Sequence, residues 1–246
     1  MDKAIRNYLR THHYRAIRLK AVLFDMDGVL FDSMPYHAES WNQAMSHFNM
    51  NLSREEAYMH EGRTGASTIN IVSQRERGCE AESTEIEAIY AEKCRIFNQF
   101  PPAVRMPGAW EVLQQVRDAG LTAMVVTGSG QHSLLDRLNS NFPGIFHREL
   151  MVTAFDVKYG KPNPEPYLMA LQKGGFSPEE ALIVENAPLG VRAGSASGVF
   201  TVAVNTGPLP DDVLLSEGAD YLFPSMQALA NGWPCLLQSL KDTVAD

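Results

Sequence analysis

The chain has 246 residues, 45% of them hydrophobic, and a formal net charge of −8. That length supports one large domain or a core carrying a smaller one, and the acid excess argues against nucleic-acid binding by the body of the protein. No apolar stretch approaches the ~20 residues of a membrane span, and the N-terminus lacks the apolar core of a signal peptide. Cys79, Cys94 and Cys235 are widely spaced and odd in number, which suits a reducing cytoplasm. A cytoplasmic monomer with no membrane or nucleic-acid partner is expected.

Residues 1–19 read as a basic extension. Across the first twenty positions Lys3, Arg6, Arg10, Arg15, Arg18 and Lys20 face only Asp2. Such a leader either binds an acidic surface or is a poorly ordered tail, and poor order is the expectation. Next comes the most informative segment, Ala21-Val22-Leu23-Phe24-Asp25-Met26-Asp27-Gly28. An apolar run reads as a strand that delivers two carboxylates to its C-terminal edge, where open α/β sheets bind ligands. Carboxylates this close repel unless a proton or cation separates them. Hard ions such as Mg²⁺ take a few protein oxygens plus substrate phosphate. The pair therefore reads as a metal-assisted phosphoryl-transfer site with an aspartate free to act as nucleophile.

The segment 33–105 breaks the strand pattern. Tyr36 to Phe48, Glu55 to Glu61, Ser67 to Gln74 and Ser83 to Asn98 read as amphipathic helices, and Ser53 with Glu56 as a capping box. Met59 and Trp41 are expected in the core of this insert. Pro101-Pro102 and Met106-Pro107-Gly108 mark the return. A helical insert placed straight after the first strand would cover the site as a lid does.

Beyond it, Leu121–Val126, Ala181–Val184, Phe200–Val204 and Tyr221–Phe223 read as further strands of a parallel sheet. Helical patterns separate them at Ala109 to Ala119, His132 to Asn139 and Glu165 to Lys173. The alternation predicts a doubly wound, Rossmann-like α/β fold. The expected organisation is an extension at 1–19, a core at 20–32 and 106–246, and a helical cap at 33–105.

Four polar clusters fall at or beside strand ends: Asp25-Met26-Asp27, Thr127-Gly128-Ser129, Gly160-Lys161-Pro162-Asn163-Pro164 and Glu185-Asn186. In order and spacing they resemble the four motifs of the haloacid dehalogenase superfamily, and the insert resembles the small C1-type cap of its β-phosphoglucomutase-like subgroup. The resemblance implies that Asp25 attacks phosphorus and that Asp27 is the acid/base, its carbonyl also touching Mg²⁺. It implies that Thr127, Gly128 and Ser129 hold phosphoryl oxygens and that Lys161 neutralises charge, on a loop where Asn163 sits between prolines. Where the subgroup usually has Glu-Asp, this chain has Glu185-Asn186, one carboxylate fewer for the metal.

A cap acid stands in a position to make up the difference. Glu61 precedes Gly62-Arg63-Thr64-Gly65, and the matching loop of the family faces the active site. The pairing of Glu61 with Asn186 resembles the pyrophosphate-hydrolysing members of the subgroup. The expected metal donors are thus Asp25, Asp27, Asn186, Glu61 and Glu185. Arg63, Tyr90 and Lys93 are candidates for the distal phosphate, and Thr64, Asn163 and His37, the last near the cap hinge, are further candidates for substrate binding. The expected function is Mg²⁺-dependent hydrolysis of pyrophosphate through an aspartyl phosphate. The alternative is a β-phosphoglucomutase or a phosphatase of small sugar phosphates. The mutase is weakened because Gly65 stands where the mutases carry an arginine. A catalytically dead binding protein is disfavoured because Asp25, Asp27, Thr127 and Lys161 are all present.

Overall fold

A computed structural model describes residues 1–129 and 134–244. Helix α1 (Asp2–His12) precedes strand β1 (Ala21–Phe24). Four helices follow: α2 (Met34–His47), α3 (Arg54–Met59), α4 (Gly65–Arg77) and α5 (Ser83–Phe97). Then come α6 (Ala109–Asp118), β2 (Thr122–Val125), α7 (Leu134–Asn141), α8 (Glu165–Gly174), β3 (Ala181–Glu185) and α9 (Pro188–Ala196). The chain closes with β4 (Phe200–Val204), α10 (Asp211–Ser216), β5 (Tyr221–Phe223) and α11 (Met226–Asp242). Positions 130–133, the start of the helix expected from His132, lie outside the described residues.

The sheet is parallel throughout, in the order β2-β1-β3-β4-β5. Successive side chains of a strand point to opposite faces. Val22 and Phe24 pack with Val112, Leu113, Leu229 and Trp233 from α6 and α11, whereas Leu23 packs with Tyr167, Leu171 and Ala193 from α8 and α9. Both faces are covered, which explains why the strands read as unbroken apolar runs. With β2 and β3 on either side of β1, the order reverses direction at β1. The crevice beyond the carboxyl ends of β1 and β3 is the switch point where such sheets bind ligands.

The helical insert α2–α5 has an apolar centre of its own, built from Met45, Met50, Leu52, Ile69, Val72 and Ile89. Trp41 is half-buried against it, while Met59, expected inside, is exposed. The two passages joining insert to sheet run side by side: Asp32 N donates to Val104 O at 3.0 Å and Met106 N to Leu30 O at 2.9 Å. The capping box forms as expected. Ser53 Oγ accepts from Glu56 N at 3.1 Å and Glu56 Oε2 accepts from Ser53 N at 3.0 Å.

The poorly ordered N-terminal tail is corrected. Residues 2–12 are helical, with Ile5 (0% exposed), Tyr8 (1%) and Leu9 (0%) in the main core. The Tyr8 ring meets Phe200 edge-on at 5.2 Å and its hydroxyl donates to Gly198 O at 2.8 Å. Ile5, Tyr8 and Leu9 follow the i, i+3, i+4 rhythm of a buried helical face. Burying each such side chain contributes about 1.5–3 kcal/mol, which the basic residues between them concealed. Among the described residues no helix is long and apolar enough to cross a membrane.

Candidate active site

The apolar run of β1 ends at Phe24, and the next residue, Asp25, is set at the sheet edge by its N–H bond to Val184 O (3.0 Å). The chain then turns back sharply: Leu30 N and Phe31 N both donate to Met26 O, and Gly28 N donates to Phe31 O. Gly28 has φ +80°, and a Cβ there would lie 2.1 Å from Asn186 Nδ2. Only glycine satisfies both the backbone and that approach. Thr206 Oγ1, at the end of β4, donates to Gly28 O at 2.7 Å and ties the loop to the sheet.

Lys161 reaches into this edge from the loop before α8. Its Nζ lies 2.5 Å from Asp25 Oδ1 and 2.5 Å from Glu185 Oε1, and it donates to Val126 O at 3.2 Å. All three charged groups are buried. Burial disfavours the Lys161 ammonium, but Asp25 and Glu185 outweigh it and hold its pKa well above the ordinary range. Burial pushes the Asp25 carboxyl up to about 8, with Lys161 pulling down and Glu185 and Asp27 pushing up.

Glu185 was expected among the metal donors, and the structure gives both its oxygens partners within the protein. Its Oε1 accepts from Lys161 and from the Tyr167 hydroxyl (2.7 Å), and its Oε2 from the N–H groups of Asn186 (2.9 Å) and Ala187 (3.1 Å). Both oxygens are committed to holding Lys161 and the β3–α9 turn. Gly190 is required beneath it, since a Cβ there would come within 1.9 Å of Glu185 Oε1.

Asp27 stands on the insert side. Ser33 Oγ donates to its Oδ1 at 2.5 Å, and His37 Nε2 lies 3.4 Å from the same oxygen. His37 Nδ1 is 2.9 Å from Lys93 Nζ. The ammonium can only donate, so Nδ1 accepts and Nε2 carries the proton that faces Asp27. The imidazole stacks on Phe97 at 4.2 Å, and Lys93 lies 4.9 Å from that ring and 5.6 Å from Trp41. Burial opposes ionisation of Asp27. The His37 ring, the Ser33 hydroxyl and the Arg137 guanidinium overcome it and keep the carboxyl below the usual range.

The turn ending α3 carries Glu61 and Gly62 down to the sheet. Glu61 accepts from Asn186 Nδ2, 3.2 Å to each oxygen. Gly62 has φ +87°, and a Cβ there would lie 3.1 Å from Lys161 Cδ, so the turn sits on the lysine stem. Burial, with Asp25 and Glu185 nearby, pushes the Glu61 carboxyl well above its ordinary value.

These side chains enclose a cavity of about 110 Å³ whose walls include Asp25, Asp27, His37, Glu61, Lys93 and Thr127. Gly128, Ser129, Arg63 and Tyr90 also line it. Thr127 Oγ1 accepts from Ser129 N at 3.1 Å, which shapes the loop. Two residues expected at the substrate have local partners. Asn163 is exposed and its Oδ1 accepts from Glu165 N (2.9 Å) at the start of α8. Thr64 is exposed and its hydroxyl caps α4, accepting from Ser67 N at 3.2 Å. Both line an outer groove with Arg63 and Lys161, and Thr64 also lines a smaller cavity with Thr127, Gly128 and Lys161. Ser33, Tyr167 and Arg137 were missed. Ser33 lies six positions beyond Asp27 and Tyr167 six beyond Lys161, but nothing local shows their partners.

With geometry in hand, the comparisons decide the family. Residues 22–204 match the model of haloacid dehalogenase-like hydrolases. The chain belongs to this family. Hexitol phosphatase A of Escherichia coli is 32% identical over 218 residues, covering 87% of this chain and 94% of the relative. The pyrophosphatase PpaX of Oceanobacillus iheyensis is 25% identical over 209 residues, 85% of this chain and 94% of the relative. A solved structure of a Bacteroides vulgatus protein, described as a candidate β-phosphoglucomutase, is 68% identical with a TM-score of 0.96, covering 98% of each chain. The protein is thus a haloacid dehalogenase-type phosphohydrolase with the α/β fold of that family.

Whether a divalent cation fits can be judged from the donors. Among the described residues no three His, Cys, Asp or Glu side chains group as a metal site. Asn186 Oδ1 is buried and has no hydrogen-bond partner. It is an orphaned acceptor beside Asp25 and Glu61, whose carboxylates repel each other, and Lys161 alone cannot balance them. An all-oxygen set with unbalanced negative charge suits Mg²⁺.

Proposed function

We propose that the protein hydrolyses inorganic pyrophosphate, with Mg²⁺ as cofactor. The observation that carries this reading is the reach of Glu61 from the cap, here assigned to 33–105, to Asn186 in the core. An acid delivered by the cap supplies the carboxylate that Asn186 lacks, and it does so only when the cap lies over the sheet. The enclosed volume is well below the ~300–1,000 Å³ of sites for larger organic ligands. Lys93 and Arg63 face it and suit the distal phosphate of a small, doubly charged substrate.

In this reading Asp25 Oδ1 is held by Lys161 and the second oxygen attacks phosphorus. The P–O bond to the leaving phosphate breaks as the aspartyl phosphate forms. Asp27, held as the carboxylate by Ser33 and His37, takes a proton from the water that releases the second phosphate, while phosphate, a good leaving group, departs as the anion. Thr127 and the N–H groups of Gly128 and Ser129 hold the transferring oxygens. Asp25, Glu61, Asn186 and the Asp27 carbonyl would hold Mg²⁺, which when bound neutralises phosphoryl charge.

The second reading is a phosphatase of sugar or polyol phosphates, favoured by the 32% identity to hexitol phosphatase A. A Mg²⁺-dependent phosphate-release assay separates the two. Pyrophosphate should show the highest kcat/KM, above hexitol and hexose phosphates. A preference for a hexitol phosphate would overturn the first reading and install the second.

A further inference from the structure

The outer face of α1 carries Lys3, Arg6, Asn7 and Arg10 at helical spacing, so they form one stripe. His13 ends the helix with φ 59° and turns the chain back so that Arg15 lies alongside. Stripe and return segment wall a groove of about 580 Å³. Lys3, Arg6, Arg10 and Arg15 are exposed. Among the described residues none of the four has a carboxylate partner, and Arg10 donates only to Asn7 Oδ1, at 3.0 Å. The neighbouring Arg18 and Lys20 do have partners, Glu179 and Glu180.

This arrangement works against the helix. Like charges three and four residues apart each destabilise it by about 0.2–0.5 kcal/mol. Lys3 and Arg6 also lie toward the N-terminus, where the helix dipole favours anions. The buried face of Ile5, Tyr8 and Leu9 keeps the helix in place despite that cost, and a multiply charged anion in the groove would relieve the repulsion that is left.

We propose that this groove binds a linear oligophosphate, a chain of phosphoanhydride-linked phosphates such as tripolyphosphate. Guanidinium groups pair with phosphate oxygens in two-pronged fashion, and a row of cations matches a row of phosphates. The groove is separate from the catalytic cavity. Tyr8 anchors α1 at Gly198, just before β4 begins, whereas Asp25 and Asn186 lie beyond the strands' other ends. Single-stranded nucleic acid is a poorer match because Tyr8 is buried and Tyr14 partly so, which leaves the exposed His13 ring in the groove and no row of rings on which successive bases could stack. A lipid surface is a poorer match because none of the exposed large apolar residues lies within 1–20. The inference stands apart from which substrate the cavity hydrolyses.

The test is calorimetric titration of the full chain carrying Asp25→Asn, in the absence of divalent metal, with sodium tripolyphosphate. The expected result is saturable binding, one per chain, weakening as salt rises. Arg6→Ala with Arg10→Ala should weaken it by at least about tenfold. Arg18→Ala with Lys20→Ala, which removes equal charge outside the groove, should change it about twofold or less. Alanine at exposed helical positions favours the helix, and circular dichroism checks the fold. Absence of saturable binding, or equal weakening by both pairs, would overturn the proposal. So would tighter binding of a single-stranded DNA oligonucleotide or of phosphatidylserine vesicles at the same salt.

Discussion

The Glu61 carboxylate accepts the Asn186 amide across 125 positions of sequence, 3.2 Å to each oxygen. This contact joins cap to core at the edge of the catalytic cavity. If both residues hold Mg²⁺, Glu61→Gln leaves Asp25 as the one charged side-chain donor. The metal concentration for half-maximal activity should rise about tenfold or more. Pyrophosphate turnover should fall further than hydrolysis of a small organic phosphate, and Glu61→Gln with Asn186→Asp should recover part of the metal affinity. Metal titrations of activity check this. A single variant that titrates like the wild type removes Glu61 from the site.

Asp25→Asn should abolish turnover and leave the fold intact, because the amide keeps the shape but is a far poorer nucleophile. Lys161 retains Glu185 as its partner, so no buried charge is left alone. Phosphate release and circular dichroism, measured together, give the answer; a folded variant with near-wild-type turnover removes Asp25 as nucleophile.

His37 links Lys93 to Asp27, with Nδ1 accepting from the ammonium and Nε2–H facing the carboxylate. Asp27→Asn should lower kcat by about 10²–10⁴-fold. His37→Ala should lower it less, up to about 10²-fold, by loosening the carboxylate. KM should move little in either. A raised KM at unchanged kcat would place His37 in substrate binding.

Gly28→Ala should cost about 1–2 kcal/mol in backbone strain alone, because φ is positive. The added Cβ must also displace the Asn186 side chain. Activity should therefore fall more steeply than stability. Urea unfolding and kcat on the same preparation test this. Equal activity at reduced stability would show that Asn186 is free to move.

Asp220 supplies a pH dependence away from the catalytic cavity. Burial pushes its carboxyl up to about 7, against the opposing pull of the Thr201 N–H (2.8 Å). A carboxyl raised on folding binds its proton more tightly in the native state. Its stabilising contribution is complete below the unfolded pKa, near 4, and is lost as pH rises through about 7. Asp220→Asn can keep the Thr201 bond without the charge. It should be more stable than wild type at pH 8 by roughly 1–3 kcal/mol, with little difference at pH 4. Thermal melts across that range decide. A constant difference at all pH values would show that Asp220 does not titrate there.

Local pattern carried much of the fold. The run Ala21–Phe24, the β-branched segments before Thr127 and Glu185, and the Ser53–Glu56 box are short-range signals, because side-chain period and capping chemistry depend on near neighbours. They foretold the parallel sheet, the helical insert and the strand-end positions of Asp25 and Thr127. The helix Asp2–His12 was legible in the spacing of Ile5, Tyr8 and Leu9, but its charge drew the reading toward disorder.

What only the tertiary structure decided depends on which chain ends meet. The strand order brings β3 beside β1, and that adjacency sets Glu185 against Lys161. The fold-back of the insert sets Glu61 on Asn186 and Gly62 on the Lys161 stem. Asn163 and Thr64 accept from backbone N–H groups at helix starts. Residue type and spacing specify what a side chain is able to bond. The partner it does bond is set by packing between distant segments, where each buried polar group must find a mate or cost the fold stability.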